Sequence, residues 1–298
     1  MSRLDGFGPV AWRELSTVAR TRSYLFLSVG LLAVFAGILR AGGGIGGGYV
    51  PAAVDLLLPL ELLVPLVAVA LGYRAFSGDN DDRSVLRTYP VSNASLVSGV
   101  FAGRLVGLAG IVGGPLAVVG VAVSLVGGPE SRVFAVHRGI DSPVLFVRFI
   151  ALTICFGAVV LAMTMAAAVV VRTGRAALAA ALAILVAVVA GGDLLVLAGV
   201  TADSIGDEFL ETALAVSPNA AYRGLVLETV VGVATDTGRA IDVTAAIAGL
   251  FAWTASSLAV IVIFVGRSEP VLSGIHRIVT DHVLEPALRS YEDARRDR

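Results

Sequence analysis

The chain has 298 residues, of which 57% are hydrophobic and 15% charged, with a formal net charge of −1. A soluble domain carries about 25% charged residues, so this composition excludes an ordinary water-facing domain, and the net charge gives no indication of a nucleic-acid partner. All 22 basic residues are arginines, which excludes a P-loop or a lysine Schiff base, so any ATPase that serves the chain must be a separate polypeptide.

An amphipathic helix is predicted near the N-terminus, over residues 9–22. Leu15 and Val18 lie on its apolar face, and charged residues such as Glu14 face elsewhere. With Trp12 as an interfacial aromatic residue, the pattern is typical of a helix on the membrane surface. A plain cytoplasmic tail is the alternative.

Six apolar blocks follow, each able to cross the bilayer, which requires about 20 residues of helix. They divide the chain into an interfacial segment, a six-helix transmembrane domain and a charged tail, at residues 1–23, 24–266 and 267–298. The predicted spans are residues 24–39, 54–76, 97–126, 144–171, 176–200 and 244–265.

Arginine placement predicts the orientation, because positive charge accumulates on the cytoplasmic side. With the N-terminus inside, 16 of the 22 arginines are cytoplasmic, which predicts a multi-pass plasma-membrane protein with both termini in the cytoplasm. These 16 are Arg3, Arg13, Arg20, Arg22, Arg74, Arg83, Arg87, Arg104, Arg172, Arg175, Arg267, Arg277, Arg289, Arg295, Arg296 and Arg298.

The outer segment between the fifth and sixth spans is too apolar for a simple loop. Residues 207–216 and 219–231 each predict a short helix, with a break at Ser217-Pro218 and with Asn219 as the cap of the second helix. Neither is long enough to cross the membrane, which favours re-entrant or interfacial half-helices.

Acidic residues inside spans are functional candidates, because a charge in lipid is costly. Glu61 lies between Pro59 and Pro65 in the second span, and Asp193 lies near the outer end of the fifth. Both are candidates for a transport pathway, although Asp193 could also reach water. Asp55, about 9 Å before Glu61 along a helix, is interpreted as a helix cap.

Glycines in the third span predict close helix packing, because their spacing of four residues places them near one stripe. The stripe consists of Gly99, Gly103 and Gly107, and it suits either a dimer face or a contact within the chain. No metal site is predicted, since the histidines lack ligand spacing and Cys155, Met163 and Met165 are scattered.

The segment between the second and third spans predicts a short, half-apolar helix at the cytoplasmic mouth. Acidic residues favour its start, and a proline ends it. Such a helix suits docking of a soluble partner, with a loop folded on the membrane as the alternative. The residues concerned are Asp82, Arg83, Val85, Leu86, Tyr89 and Pro90.

The chain resembles the type-2 ABC transporter permeases, in particular the NosY-like group associated with nitrous oxide reductase maturation. The resemblance covers most of the chain and rests on loose patterns. These are Trp12-Arg13-Glu14, Arg20-Thr21-Arg22, Leu71-Gly72-Tyr73-Arg74, Arg83-Ser84-Val85-Leu86, Tyr89-Pro90-Val91-Ser92, Gly103-Arg104 and Ser217-Pro218-Asn219-Ala220.

The resemblance implies an all-α permease of the type V exporter kind. It would have an N-terminal elbow helix, a cytoplasmic coupling helix at residues 82–90 and outer re-entrant half-helices. The permease would form a homodimer or pair with a paralogue, and separate P-loop ATPase subunits would bind ATP and Mg²⁺, with no cofactor on this chain. An extracytoplasmic accessory protein and a copper enzyme under maturation are further implied partners.

Two other readings remain open from the residues alone. A membrane-embedded enzyme would need polar groups that converge at one depth, and Glu61 and Asp193 are its candidates. A scaffold without transport is the other. The permease is the preferred interpretation.

Overall fold

The computed structural model describes residues 6–76, 92–126, 141–171, 173–202, 214–235 and 241–267, and these ranges are almost entirely helical. The helices are α1 (Phe7–Arg20), α2 (Arg22–Gly42), α3 (Gly44–Gly47), α4 (Tyr49–Gly72), α5 (Asn93–Val126), α6 (Pro143–Val170), α7 (Gly174–Thr201), α8 (Pro218–Val226), α9 (Gly232–Thr235) and α10 (Val243–Arg267).

Six of these helices, α2, α4, α5, α6, α7 and α10, are long and apolar enough to cross a membrane. The chain is therefore a multi-pass membrane protein, and the prediction of six candidate spans is confirmed. Turns of π-helix interrupt α5 at Ala109–Gly113 and α7 at Ala187–Gly191, and a third, Leu227–Val231, joins α8 to α9.

The second span begins five residues earlier and ends four residues earlier than predicted, at Tyr49 and Gly72. Its start is fixed by a distant cap. The Asp141 carboxylate accepts hydrogen bonds from the backbone N–H groups of Tyr49 and Val50, each at 3.0 Å. These N–H groups have no partner inside the helix, so a carboxylate stabilises them. No pattern local to the second span could have placed this boundary.

Asp55 was interpreted as a helix cap at the start of the second span, and it does cap a helix, but not that one. It lies inside α4, and its Oδ2 accepts a hydrogen bond of 3.2 Å from the backbone N–H of Gly44, the first residue of α3. Asp55 therefore stabilises the short helix before α4.

The apolar core lies around α4 and α6, which pack along each other. Half or more of the most apolar stretch is buried in each, at 56% for α4 and 50% for α6, whereas the values for α2, α7 and α10 are 17%, 11% and 17%. The last three helices therefore leave most of their apolar surface to lipid or to a partner chain.

The glycine stripe of α5 is covered by α1. A Cβ at Gly99 would lie 2.9 Å from Val10, and one at Gly107 would lie 2.8 Å from Val18. At Gly103 the added Cβ would lie 2.5 Å from a backbone carbonyl oxygen of α1. Contacts advance in the same order along both helices, so α1 runs beside the first half of α5. Within this chain the stripe serves internal packing.

An ion pair fastens the same two helices. Glu14 was predicted to lie off the face that carries Val18, which is wrong, because both side chains are buried. Glu14 Oε2 accepts a hydrogen bond of 3.0 Å from Arg104 Nε. A second nitrogen of Arg104 donates to the carbonyl oxygen of Leu71, at the end of α4. One guanidinium therefore joins α1, α4 and α5.

The predicted docking residues lie outside the described residues, as does the tail from residue 268. Arg104 nevertheless holds together the two helices, α4 and α5, that the docking segment connects. The docking residues are Asp82, Arg83, Val85, Leu86, Tyr89 and Pro90.

Candidate functional site: a charged cluster among the spans

Glu61 is the thirteenth of the 24 residues of α4 and therefore lies near the middle of a span. Its side chain is 7% exposed. Pro65 has no N–H group and cannot donate the helical hydrogen bond to the Glu61 carbonyl oxygen, four residues earlier. Glu61 thus combines a buried carboxylate with a local interruption of the backbone ladder.

Arg223, on α8, is the partner of that carboxylate. Its Nε donates to Glu61 Oε1 at 2.7 Å, and its Nη2 donates to Oε2 at 2.5 Å. This is the bidentate geometry in which arginine and carboxylate bind most strongly. Asn219, one turn earlier on α8, donates from Nδ2 to Glu61 Oε2 at 3.2 Å. Because Glu61 lies mid-span, α8 reaches the depth of the middle of α4.

Asp193, on α7, completes the cluster through the same arginine. Its Oδ2 accepts a hydrogen bond of 3.1 Å from Arg223 Nη2. Asp193 directly follows the π-helical turn and Gly192, and a Cβ at Gly192 would collide with the side chain of Ser217. The missing side chain lets α7 approach the start of α8, and π-helical turns recur at functional sites.

Helix α8 is held tightly, since eight of its nine residues are buried and Arg223 is the exception. Tyr222 is fully buried, with its hydroxyl 3.0 Å from Thr153 Oγ1 on α6 and its ring stacked on Phe156 with centroids 4.7 Å apart. Trp253 of α10 donates to the Val216 carbonyl oxygen at 2.9 Å, just before α8 begins. Four spans therefore position α8.

The cluster of Glu61, Arg223, Asp193 and Asn219 has one surplus negative charge, because two carboxylates share one guanidinium. Its two ends differ in access. Glu61 is nearly enclosed, whereas the side chains of Arg223 and Asp193 are 36% and 32% exposed. Two buried acceptor atoms, Asp193 Oδ1 and Asn219 Oδ1, have no hydrogen-bond partner among the described residues. Such atoms are uncommon in native proteins, and a bound water or ion is one explanation for them.

The sequence singled out Glu61 and Asp193 separately, and the structure links them through one cation. Arg223 was not singled out from the sequence. The signal was available, because the chain has no lysine and a cation that pairs with Glu61 and Asp193 is then an arginine on another segment. Asn219 was predicted to cap the second half-helix, which is wrong. Ser217 is the cap, with its Oγ accepting from the Ala220 N–H at 3.5 Å, and Asn219 instead binds Glu61.

The soft side chains of α6 do not share an environment. Met165 is fully buried and Cys155 is exposed. Within the described ranges, no three or more His, Cys, Asp or Glu side chains are grouped as a metal site would require.

Comparison with protein-family models and with curated proteins gives no match to this sequence. The fold itself defines the class: a multi-pass membrane protein with six candidate spans, in which a short helix brings an arginine to two span carboxylates.

Proposed function

We propose that this chain is the permease subunit of a membrane transporter that is driven by a separate ATPase. One observation carries the transport proposal: the Glu61–Arg223–Asp193 cluster lies among the spans and is one-third exposed at Arg223 and Asp193. Charges at that depth avoid lipid and face a bundle interior or a water-filled path. In our proposal the exposed parts of Asp193 and Arg223 face a water-filled transport pathway.

A second copy of the chain, or a paralogue, would complete the pathway. Asp193 belongs to α7, whose most apolar stretch is only 11% buried. A partner packed on α7 would shield its apolar surface and enclose the exposed part of the cluster. Helix α8 fits the re-entrant element that the resemblance implies, because transporter sites commonly form where short or broken helices end near the midplane.

Alternating access requires that one side of the pathway separates while the other stays in contact, and α8 contacts both α4, through Glu61, and α7, through Asp193. The contacts of Arg223 are unequal in this respect. Glu61 is enclosed and bidentate, whereas Asp193 is one-third exposed and makes a single hydrogen bond. Breaking the single, water-accessible bond costs less. In our proposal α8 therefore stays with α4 while α7 moves away.

Coupling to the ATPase would occur through the docking segment, on the cytoplasmic side of the plasma membrane. Its two ends belong to α4 and α5, which Arg104 joins to each other and to α1. A force applied to the segment would therefore move three helices together. The partner subunit would supply ATP, Mg²⁺ and the hydrolysis, and this chain would catalyse no reaction.

The resemblance extends the proposal to an outer accessory protein and to maturation of an extracytoplasmic copper enzyme. The scattered Cys155, Met163 and Met165 give no support to passage of bare copper. In this proposal the chain moves another cargo or transmits motion to the accessory protein.

Affinity purification in mild detergent, with proteomic identification of P-loop ATPases, tests the partnership. We expect the wild-type chain to retain an ATPase and the Val85→Asp, Leu86→Asp, Tyr89→Asp variant to lose it. The matched control places the same three aspartates at Val133, Phe134 and Val136, between the third and fourth spans in the sequence. An intact wild-type protein without an ATPase would contradict the proposal, as would equal loss from both variants.

A membrane-embedded enzyme is the second candidate, because two span carboxylates do converge. Glu61 is poorly suited as a base, since a bidentate guanidinium occupies both its oxygens. Asp193 retains one unpaired oxygen and would have to act as the base. Turnover of a substrate by the purified chain without an ATPase, abolished in Asp193→Asn, would favour this candidate over the permease.

A further inference from the structure

We propose that the cluster of Glu61, Arg223, Asp193 and Asn219 binds a primary ammonium group. In this arrangement the ammonium donates to Asp193 Oδ1 and Asn219 Oδ1 and neutralises the surplus negative charge. As the cargo site of the permease it depends on the proposed function, but ammonium binding itself requires no ATPase.

Charge is the first reason. Two carboxylates share one guanidinium, which leaves a net charge of −1 among the described residues of the cluster. Burial of an uncompensated charge is costly, and the cost is greatest where water is scarce. A ligand with one positive charge balances the site, whereas an anion would add to the surplus.

The second reason is the pair of unpartnered oxygens. Asn219 is 1% exposed, and its Nδ2 faces the Glu61 carboxylate. The amide cannot be reversed, because its oxygen would then face a carboxylate that donates nothing. Asn219 Oδ1 is therefore an acceptor fixed beside the cluster, without a donor among the described residues. Asp193 Oδ1 is the second such acceptor.

Hydrogen-bond chemistry selects the ligand class. Both unpartnered atoms are acceptors, and an ammonium group offers three donors with a compact charge. Metal cations such as Ca²⁺ require six or more oxygen ligands, whereas the cluster offers two free ones. A quaternary ammonium has the same charge but no N–H group, so it cannot satisfy these oxygens.

A primary ammonium could belong to a soluble amine or to a phosphatidylethanolamine headgroup. About one-third of the Asp193 and Arg223 side chains is exposed, whereas the two acceptor oxygens are buried. In our proposal either source enters at the exposed side, and the side chains shift to admit the ammonium.

Binding can be measured in the full chain by tryptophan fluorescence. Trp12 and Trp253 are the two tryptophans, and Trp253 contacts the residue that precedes Ser217 at the start of α8. In nanodiscs of phosphatidylcholine, the Trp12→Phe protein is titrated with methylammonium, and with tetramethylammonium at equal ionic strength. We expect a saturable change with methylammonium and none with tetramethylammonium. Equal responses to the two cations would overturn the proposal.

Substitutions locate the site. Asp193→Asn should raise the apparent Kd for methylammonium about tenfold, the effect of one charge-assisted hydrogen bond. Asp193→Glu keeps the charge and should stay within about threefold of wild type, which separates loss of binding from loss of fold. Asp55→Asn, in the same membrane domain but outside the cluster, is the matched control and should bind as wild type does. An unchanged Kd in Asp193→Asn would place binding elsewhere and overturn the assignment.

Lipid composition then distinguishes the source. If the headgroup occupies the site, phosphatidylethanolamine in the nanodiscs raises the apparent Kd for methylammonium, and if the ligand is soluble, the Kd stays unchanged. Failure of the ATPase purification leaves these titrations valid. Conversely, if no methylammonium binds but an ATPase copurifies, the permease proposal stands and only its cargo is unidentified. The two proposals can therefore fail separately.

Discussion

Two arginine–carboxylate sites occupy different parts of the molecule and differ in what they leave unpaired. At the α1 site, Arg104 meets Glu14 and a backbone carbonyl, with both side chains largely buried, and the exposed Arg13 lies 3.6 Å from the same carboxylate. At the cluster, Arg223 serves two carboxylates, one-third of its side chain is exposed, and two oxygens have no partner among the described residues. A carboxylate with two guanidinium partners suits a structural tie, whereas a partly exposed cluster with more carboxylates than guanidinium groups suits cation binding.

Removal of the arginine from each site should give the largest difference in stability between the two sites. In Arg223→Ala, two carboxylates among the spans lose their cation, and we expect a loss of about 3–5 kcal/mol in the free energy of unfolding. In Arg104→Ala the loss should be smaller, because Glu14 retains Arg13 at 3.6 Å. Reversible unfolding in mixed micelles measures both.

A double substitution separates charge from packing at the cluster. Glu61→Gln combined with Arg223→Gln should recover part of the stability that Arg223→Ala loses, since the pair is replaced by neutral groups. A double variant less stable than Arg223→Ala would contradict the charge-based explanation.

The packing of α1 gives a second, smaller effect. Gly103→Ala places a Cβ against the α1 backbone, and we expect a loss of about 2 kcal/mol from overpacking, together with faster tryptic cleavage at Arg13 and Arg20. Gly110→Ala is the matched control on the same span, because a Cβ there meets nothing within 4 Å. Equal cleavage of the two variants would show that the stripe does not hold α1.

The anchor of α8 should give the smallest effect. Tyr222→Phe removes the hydroxyl near Thr153 and keeps the ring stacked on Phe156. Thr153 still donates to the Phe149 carbonyl oxygen, so we expect a loss of about 1 kcal/mol, measured by the same unfolding assay. Tyr222 lies outside the cluster, so methylammonium binding should stay within about twofold of wild type in this variant.

Local patterns predicted several features well. The apolar blocks predicted six spans, and the four-residue glycine spacing predicted a close helix contact at Gly103. The start of the second span was predicted five residues too late, since the start of α4 depends on Asp141, a residue 92 positions after Tyr49. Glu14 was placed off the apolar face because it is charged, and the sequence of α1 cannot show that an arginine on another helix pairs with it.

The candidate site was predicted only in part, for the same reason. The cost of a charge in lipid made Glu61 and Asp193 suspect from sequence alone. Their meeting at Arg223 depends on three helices packing at one depth, and no spacing along the chain encodes that distance. Asn219 lies next to a Pro at a helix start, where a cap is the local expectation, but tertiary contact with Glu61 gives it another partner.

The sequence by itself determined the class of this protein, because long apolar runs with few charges are stable as helices that cross a bilayer. It also determined which acidic residues need an explanation. Tertiary structure alone decided that α1 covers the glycine stripe and that α8 carries Arg223 to Glu61 and Asp193. The physical reason is that hydrogen bonds and ion pairs depend on distance in space, which the order of residues does not fix.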